Sequence, residues 1–123
     1  PHDYARFAAY AAQFATLGLD VHISELDVDD SSFPDDIAVR DWLAAAQVTE
    51  FLTPVLKVPQ LKSICVWHLS DRFSWYRDAG WYGGEVMKAG GDPKRAPRTH
   101  FLDVNLNPKP TWRALESALT SAP

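Results

Sequence analysis

Two short apolar runs, VHISELDV (Val21–Val28) and SICVWHLSD (Ser63–Asp71), frame one long helical stretch, and that order constrains the fold more than any other feature of the chain. Both runs are brief and dense in apolar or β-branched residues, as buried strands are. Strand, helix and strand in succession imply parallel pairing through a right-handed crossover. A parallel sheet must be covered on both faces. Two strands with three helices cannot close such a structure or bury their own apolar surface. The chain is therefore expected to be one part of a larger α/β architecture.

Ahead of the first strand, Phe7, Tyr10, Ala11, Phe14 and Leu17 recur at helical spacing. Asp3 can cap the start and Gly18 suits the left-handed position at the end, which predicts a helix over 3–17. Residues 29–36 are polar and carry Pro34, and read as a loop ending in a helix start with proline tolerated in the first turn. In the following helix Val39, Trp42, Leu43, Ala46 and Phe51 keep roughly to one side, so Trp42 is expected to pack. Pro54 should stop or kink it near Thr53. Residues 72–97 read as a long loop in which glycines alternate with Trp75, Tyr76, Trp81 and Tyr82. Residues 101–110 suggest an extended segment and a proline-set turn. A last helix, about 111–118, buries Trp112, Leu115 and Leu119 by spacing.

With 123 residues the chain is at most one domain. Its 46% hydrophobic and 23% charged residues place it among globular proteins, and no apolar run approaches the ~18 residues of a membrane span. A net charge of −4 without blocks of like charge argues against nucleic acid and anionic membranes, and for a neutral substrate. Cys65 is the only cysteine, which excludes an internal disulfide and a thiolate metal site; its plain reading is a small buried side chain. His2, His22 and His100 show no metal-ligand grouping, so structural or solvated roles are expected, with no metal or cofactor. Lys88, Lys94, Arg95 and Arg98 form a mild basic cluster in the long loop, expected to be solvated, with contact to acidic side groups of a polysaccharide as the alternative. No charged and apolar leader opens the chain, so any signal peptide is expected to be absent or already removed.

The chemistry concentrates at the end of the first strand. Side chains of a strand alternate, so Val21, Ile23, Glu25 and Asp27 share one side, with the two carboxylates roughly 7 Å apart along the chain. Strand ends of α/β sheets and barrels are where such folds place their chemistry. The plainer reading is an acidic strand end that caps the next helix. An aromatic content of 12% puts many rings near strand ends and loop glycines, as a carbohydrate site does. Trp67 alone would more often be a core ring, and Trp81 and Tyr82 could flank a distal sugar or anchor their loop.

Three motifs, ISELDV (Ile23–Val28), VWHLSDRFSW (Val66–Trp75) and FLDVNLNPKPTWRAL (Phe101–Leu115), resemble in order and spacing the C-terminal part of an endo-β-1,4-xylanase of glycoside hydrolase family 10. The resemblance implies the last two strands of an eight-stranded (β/α) TIM barrel, strands seven and eight, with residues 1–123 as its C-terminal segment. It implies Glu25 as the nucleophile of a retaining mechanism, Asp27 as a carboxylate supporting it, and Trp67 and Trp75 as indoles enclosing the sugar at the cleavage point. It further implies xylan or xylo-oligosaccharides as substrate, secretion, and no cofactor. His68 stands where the family usually has glycine, and its side chain should point away from Trp67.

The family's acid/base glutamate follows a W-D-V-V-N-E type stretch that does not occur here, and its strand-six histidine is missing too. Glu50 and Glu116 fall in predicted helices and Glu85 in the long loop, so none is a positioned acid. Without the second carboxylate the leaving group cannot be protonated. The chain alone is thus expected to be catalytically incomplete and to need the remaining barrel segment. The alternatives are a fragment of another barrel β-glycanase, acting on glucan or mannan, and a non-catalytic polysaccharide-binding piece. An independent flavodoxin-like module is disfavoured by too few strands and no glycine-rich phosphate loop.

Overall fold

The computed structural model describes residues 2–121. Its elements in order are α1 (Tyr4–Ala12), β1 (Val21–Ile23), α2 (Ile37–Val55), β2 (Leu61–Ile64), α3 (Tyr82–Lys88) and α4 (Pro110–Thr120). Short 3-10 turns lie at Gln13–Leu17, Asp71–Phe73 and Trp75–Arg77. The two strands pair in parallel, as the order of elements requires, with Val21 opposite Leu61, His22 opposite Ser63 and Ile23 opposite Ile64.

Both strands are shorter than their apolar runs, because their ends take another partner. The ladder stops near Ile23 and Cys65, whose N–H donates to the Ile23 carbonyl at 2.8 Å. Past that point the 99–102 segment moves in between. Val28 N–H donates to the Thr99 carbonyl, Leu102 N–H to the Leu69 carbonyl and Asp71 N–H to the Leu102 carbonyl. Leu102 also bridges Pro108 antiparallel, so the expected extended segment and proline turn are present.

The helices begin and end where their capping residues dictate. Asp3 accepts from Arg6 N–H at 2.9 Å at the start of α1, and Gly18 takes φ 67° after the tightened last turn. At the start of α2, Asp36 accepts from Val39 N–H at 2.9 Å, so Pro34 lies outside the helix rather than in its first turn. Pro54 sits in the last turn of α2, which runs to Val55.

The buried faces differ from the expected stripes. In α1 it is Ala8 and Ala11 that pack, against Val55 and Val58, while Phe7 and Tyr10 are exposed. In α2 the row Arg40, Ala44, Val48 and Leu52 faces inward. Trp42 is about 200° around the helix from Arg40, and at 66% exposed it is a surface residue rather than a packing one. The main core joins Leu26, Val28, Phe33, Ala44, Val48, Leu52 and Phe101, with Trp112 and Leu115 packed against it from α4. Leu119, expected to be buried, is exposed, and so is Cys65, the residue after β2. Leu119 borders an apolar trough between β2 and α4 that no described residue fills.

Residues 72–97 are not a plain loop. They contain two 3-10 turns and α3, which places Glu85 on a helix. Tyr76, Tyr82 and Val86 make a small core of their own. The helix is short and carries two glycines, so no periodicity announces it. Gly83 has a steric reason: a Cβ there would come within 2.8 Å of the Pro93 carbonyl oxygen. No described helix is long and apolar enough to cross a membrane.

Candidate active site

Beyond Ile23 the ladder ends but the alternation continues. Leu26, Val28 and Asp30 turn inward, Glu25 and Asp29 are exposed, and Asp27 is half-buried between them. Glu25 and Asp27 therefore share a side, as the strand pattern predicts, and both line a groove of about 450 Å³ with Asp29, Gln47, Phe51 and Tyr76.

Asp27 is held on both oxygens. Trp75 Nε1 donates to Oδ2 and the Tyr76 hydroxyl to Oδ1, each at 3.3 Å. Burial raises the Asp27 pKa above the ordinary carboxylate value; the two hydrogen bonds oppose the rise, and the charges of Glu25 and Asp29 add to it. Tyr76 is raised too, by burial first and by Asp27 next, so its hydroxyl keeps the proton it donates. Its ring lies 4.4 Å from that of Trp75, and Trp81 meets both edge-on. The structure thus joins Trp75 to Asp27. It does not bring Trp67 into this group: that ring is 53% exposed and rests 6.2 Å from His68.

A buried ionic knot fixes the stretch from below. Asp30 is fully buried and accepts from Arg40 of α2, from the Tyr82 hydroxyl at 2.6 Å and from Arg98 N–H at 3.1 Å. One carboxylate thereby ties the acidic stretch to α2, to α3 and to the segment before Thr99. Beside it, buried Asp71 accepts from Lys109 Nζ at 3.0 Å and from His100 N–H at 2.9 Å. Arg98 grips Asp41 through Nε and a terminal nitrogen, and Arg95 pairs with Asp35 at 2.7 Å. These two arginines are structural, against the expectation of a solvated basic cluster; Lys88 does remain at the surface, on Glu85.

His100 is buried without a hydrogen bond to either ring nitrogen. Its ring lies 5.7 Å from that of His68, which turns inward onto it while Trp67 faces out, and 6.5 Å from that of Tyr76. Burial, with the charges of His68 and Lys109 behind it, pushes the His100 pKa down to about 4. His22 contacts the Ser63 hydroxyl at 2.8 Å. Among the described residues no three His, Cys, Asp or Glu side chains gather as a metal site needs.

Asp30 escaped the sequence reading, as did the bond from Tyr76 to Asp27 and the burial of His100, for which a structural or solvated role was expected. For Asp30 a signal existed: continuing the alternation through Leu26 and Val28 turns it inward, where a carboxylate requires cationic partners. For Tyr76 the signal was only its place after Trp75. His100 had none.

A parallel strand pair with carboxylates at the strand exit defines the class as part of an α/β sheet or barrel. The chain belongs to glycosyl hydrolase family 10, whose model matches residues 2–118. It is 28% identical over 121 residues to endo-1,4-beta-xylanase 5 of Pyricularia oryzae, covering 96% of this chain and 26% of that protein. Xylanase B from Clostridium stercorarium F9 superimposes with a TM-score of 0.69 at 26% identity, over 94% of this chain and 33% of that one. For the endo-1,4-beta-xylanase XylE of Penicillium canescens the TM-score is 0.73 at 21% identity, over 99% and 33%. The chain spans about a quarter of the curated relative's length and a third of these solved structures, so it corresponds to a partial barrel.

Proposed function

We propose that this chain is the nucleophile-bearing, C-terminal segment of a single (β/α)8 catalytic domain, that of a retaining endo-β-1,4-xylanase. The observation that carries the reading is the family match over residues 2–118 together with Glu25 and Asp27 lining one groove at the exit of β1.

In this mechanism a Glu25 carboxylate oxygen attacks the anomeric carbon of a xylose unit. The glycosidic C–O bond breaks, and a carboxylic acid on the other face protonates the departing oxygen. Water then attacks the glycosyl–enzyme ester, the second carboxyl group takes its proton, and Glu25 is released. The two carboxyl groups must stand ~5–5.5 Å apart for the covalent route. Asp27, fixed by Trp75 and Tyr76, supports Glu25 as a neighbouring charge. Trp75 and the exposed Trp67 supply flat faces for the C–H surface of xylose, the second of them in a barrel whose other strands complete the groove. The acid/base glutamate comes from the remaining barrel segment, so 123 residues alone are catalytically incomplete. Xylan is too large to enter a cell, and the protein acts outside it.

The test is a mechanism-based xylobioside inactivator applied to the full-length enzyme, followed by peptide mapping. One glycosyl label on Glu25 is expected. A label on any other residue overturns the assignment, and efficient xylan cleavage by the isolated 123-residue chain overturns its incompleteness.

A further inference from the structure

Tyr76 also borders a second cleft of about 280 Å³, formed where α3 meets the 93–97 segment. Its walls include Arg77, Lys94 and Arg95 together with Tyr76, Tyr82 and Gly83, and no carboxylate is among the lining residues. In a chain of net charge −4 this is a local reversal of sign. Arg95 is spoken for: it pairs with Asp35 and donates to the carbonyls of Asp30, Ser31 and Phe33. Arg77 and Lys94 are different. Among the described residues neither makes an ion pair; Arg77 donates through Nε to the Asp71 carbonyl at 2.9 Å, and Lys94 is held only by its backbone N–H on Asp92. Two exposed cations thus line the cleft together with a third, immobilised one.

The cleft is built rather than incidental. Gly83 lets α3 close on Pro93, and the Tyr82–Asp30–Arg40 bonds anchor α3 from the inside. Tyr76 lines both this cleft and the groove that holds Glu25 and Asp27. An anion seated here would therefore lie one aromatic ring away from a sugar chain in the groove.

We infer that the Arg77–Lys94 cleft is a binding site for the carboxylate of a uronic acid branch on the polysaccharide substrate. The inference rests on the xylanase reading for its substrate backbone, and adds to it a preference for acidic over neutral branches. Guanidinium and ammonium groups recognise a carboxylate by charge-assisted hydrogen bonds, and the site's partial exposure keeps each contact modest.

The experiment compares glucuronoxylan with the same polymer after its uronic acids have been reduced to the neutral sugar, using the full-length enzyme and its Arg77→Gln/Lys94→Gln double variant. The double variant is expected to lose roughly three- to tenfold in kcat/KM on glucuronoxylan. On the carboxyl-reduced polymer it should match the parent, and the parent's preference should shrink as salt rises. Equal loss on both polymers, or no loss on either, overturns the proposal. If neither polymer is cleaved, the xylanase reading fails by itself. Equilibrium binding of a glucuronate-branched xylotetraose, against its carboxyl-reduced counterpart, then reads the cleft independently: a preference for the charged ligand that the double variant abolishes supports the site, and indifference to charge refutes it.

Discussion

The end of the molecule beneath the groove and the flank formed by β2 and α4 are built on opposite terms. Beneath the groove, Asp30, Arg40, Asp41, Asp71 and Lys109 are all buried, and each charged group has its counter-charge within the chain. On the flank, Leu56, Leu61, Ile64, Val66, Leu115 and Leu119 line an apolar trough of about 280 Å³ that no described residue fills. The polar end is complete in itself, whereas the apolar wall is complete only against a neighbour. Charges can be removed from water only with their partners already in place. Apolar surface has no such requirement and can wait for whatever covers it.

The strongest way to break that contrast is Asp30→Ala in the full-length protein. It strands Arg40 in the interior together with the Tyr82 hydroxyl, and breaking a buried pair from one side costs about 3–5 kcal/mol. The matched control is Asp35→Ala. Asp35 is about half exposed where it meets Arg95, so its loss should cost far less than that of Asp30. Urea unfolding midpoints at constant slope distinguish the two. Equal costs would show that the knot is not the self-sufficient unit described above.

His100 gives the next largest effect, and its sign follows from the direction of its shift. The folded protein holds it at about 4 against an ordinary value near 6.5, so between these pH values the unfolded chain binds more protons. Stability is full above about pH 6.5 and falls as pH drops toward 4, by up to about 3 kcal/mol. The charged groups that bear on it are His68 and Lys109, which oppose its protonation, and Asp30, which favours it. Asp71, which accepts from the His100 backbone N–H, is the other ionisable neighbour. His100→Leu loses no side-chain hydrogen bond and should flatten that acid limb while leaving stability near pH 7.5 little changed. An unaltered acid limb in the variant would assign the pH sensitivity to other groups.

How much of this was legible in the sequence follows the same division. The caps at Asp3 and Gly18 and the position of Glu25 with Asp27 could be read because each depends on residues close together in the chain, and the parallel pair because strand, helix and strand in succession imply it. The outward turn of Trp42 could not. Periodicity finds an apolar stripe, but the side of α2 that faces inward is the row Arg40, Ala44, Val48 and Leu52, where Arg40 meets Asp30 and the other three join Leu26, Val28 and Phe101, and that row begins with a charge. The short ladder was hidden for a related reason: VHISELDV and SICVWHLSD do continue as extended chain, but they pair with residues 99–102, far off in sequence. Cys65 and Leu119 were expected inside and lie outside, since hydrophobicity reports a wish for cover and not its presence. His100 illustrates the converse, a titratable ring buried among others with nothing local to mark it.

The smallest effect tests where the polar end meets the groove. Tyr76→Phe removes one 3.3 Å hydrogen bond to Asp27 and leaves the ring that packs on Trp75, Tyr82 and His100. A single such bond to a charged group contributes about 1.5–3 kcal/mol, and at this length the lower figure applies. Losing it removes one of the two bonds that oppose the upward shift of Asp27, so the Asp27 pKa rises further and the carboxylate is protonated at higher pH. In the full-length enzyme the acid limb of kcat/KM should move measurably, with kcat near its optimum reduced only a few-fold and the urea midpoint nearly unchanged. Tyr76→Leu, which also removes the ring, should in addition loosen Trp75 and raise KM. If Tyr76→Phe and Tyr76→Leu behave alike, with no movement of the acid limb in either, the hydroxyl is a passenger on a packing ring. If only the limb moves in the first and both limb and KM in the second, Tyr76 is the joint through which the buried network positions Asp27 beneath the substrate.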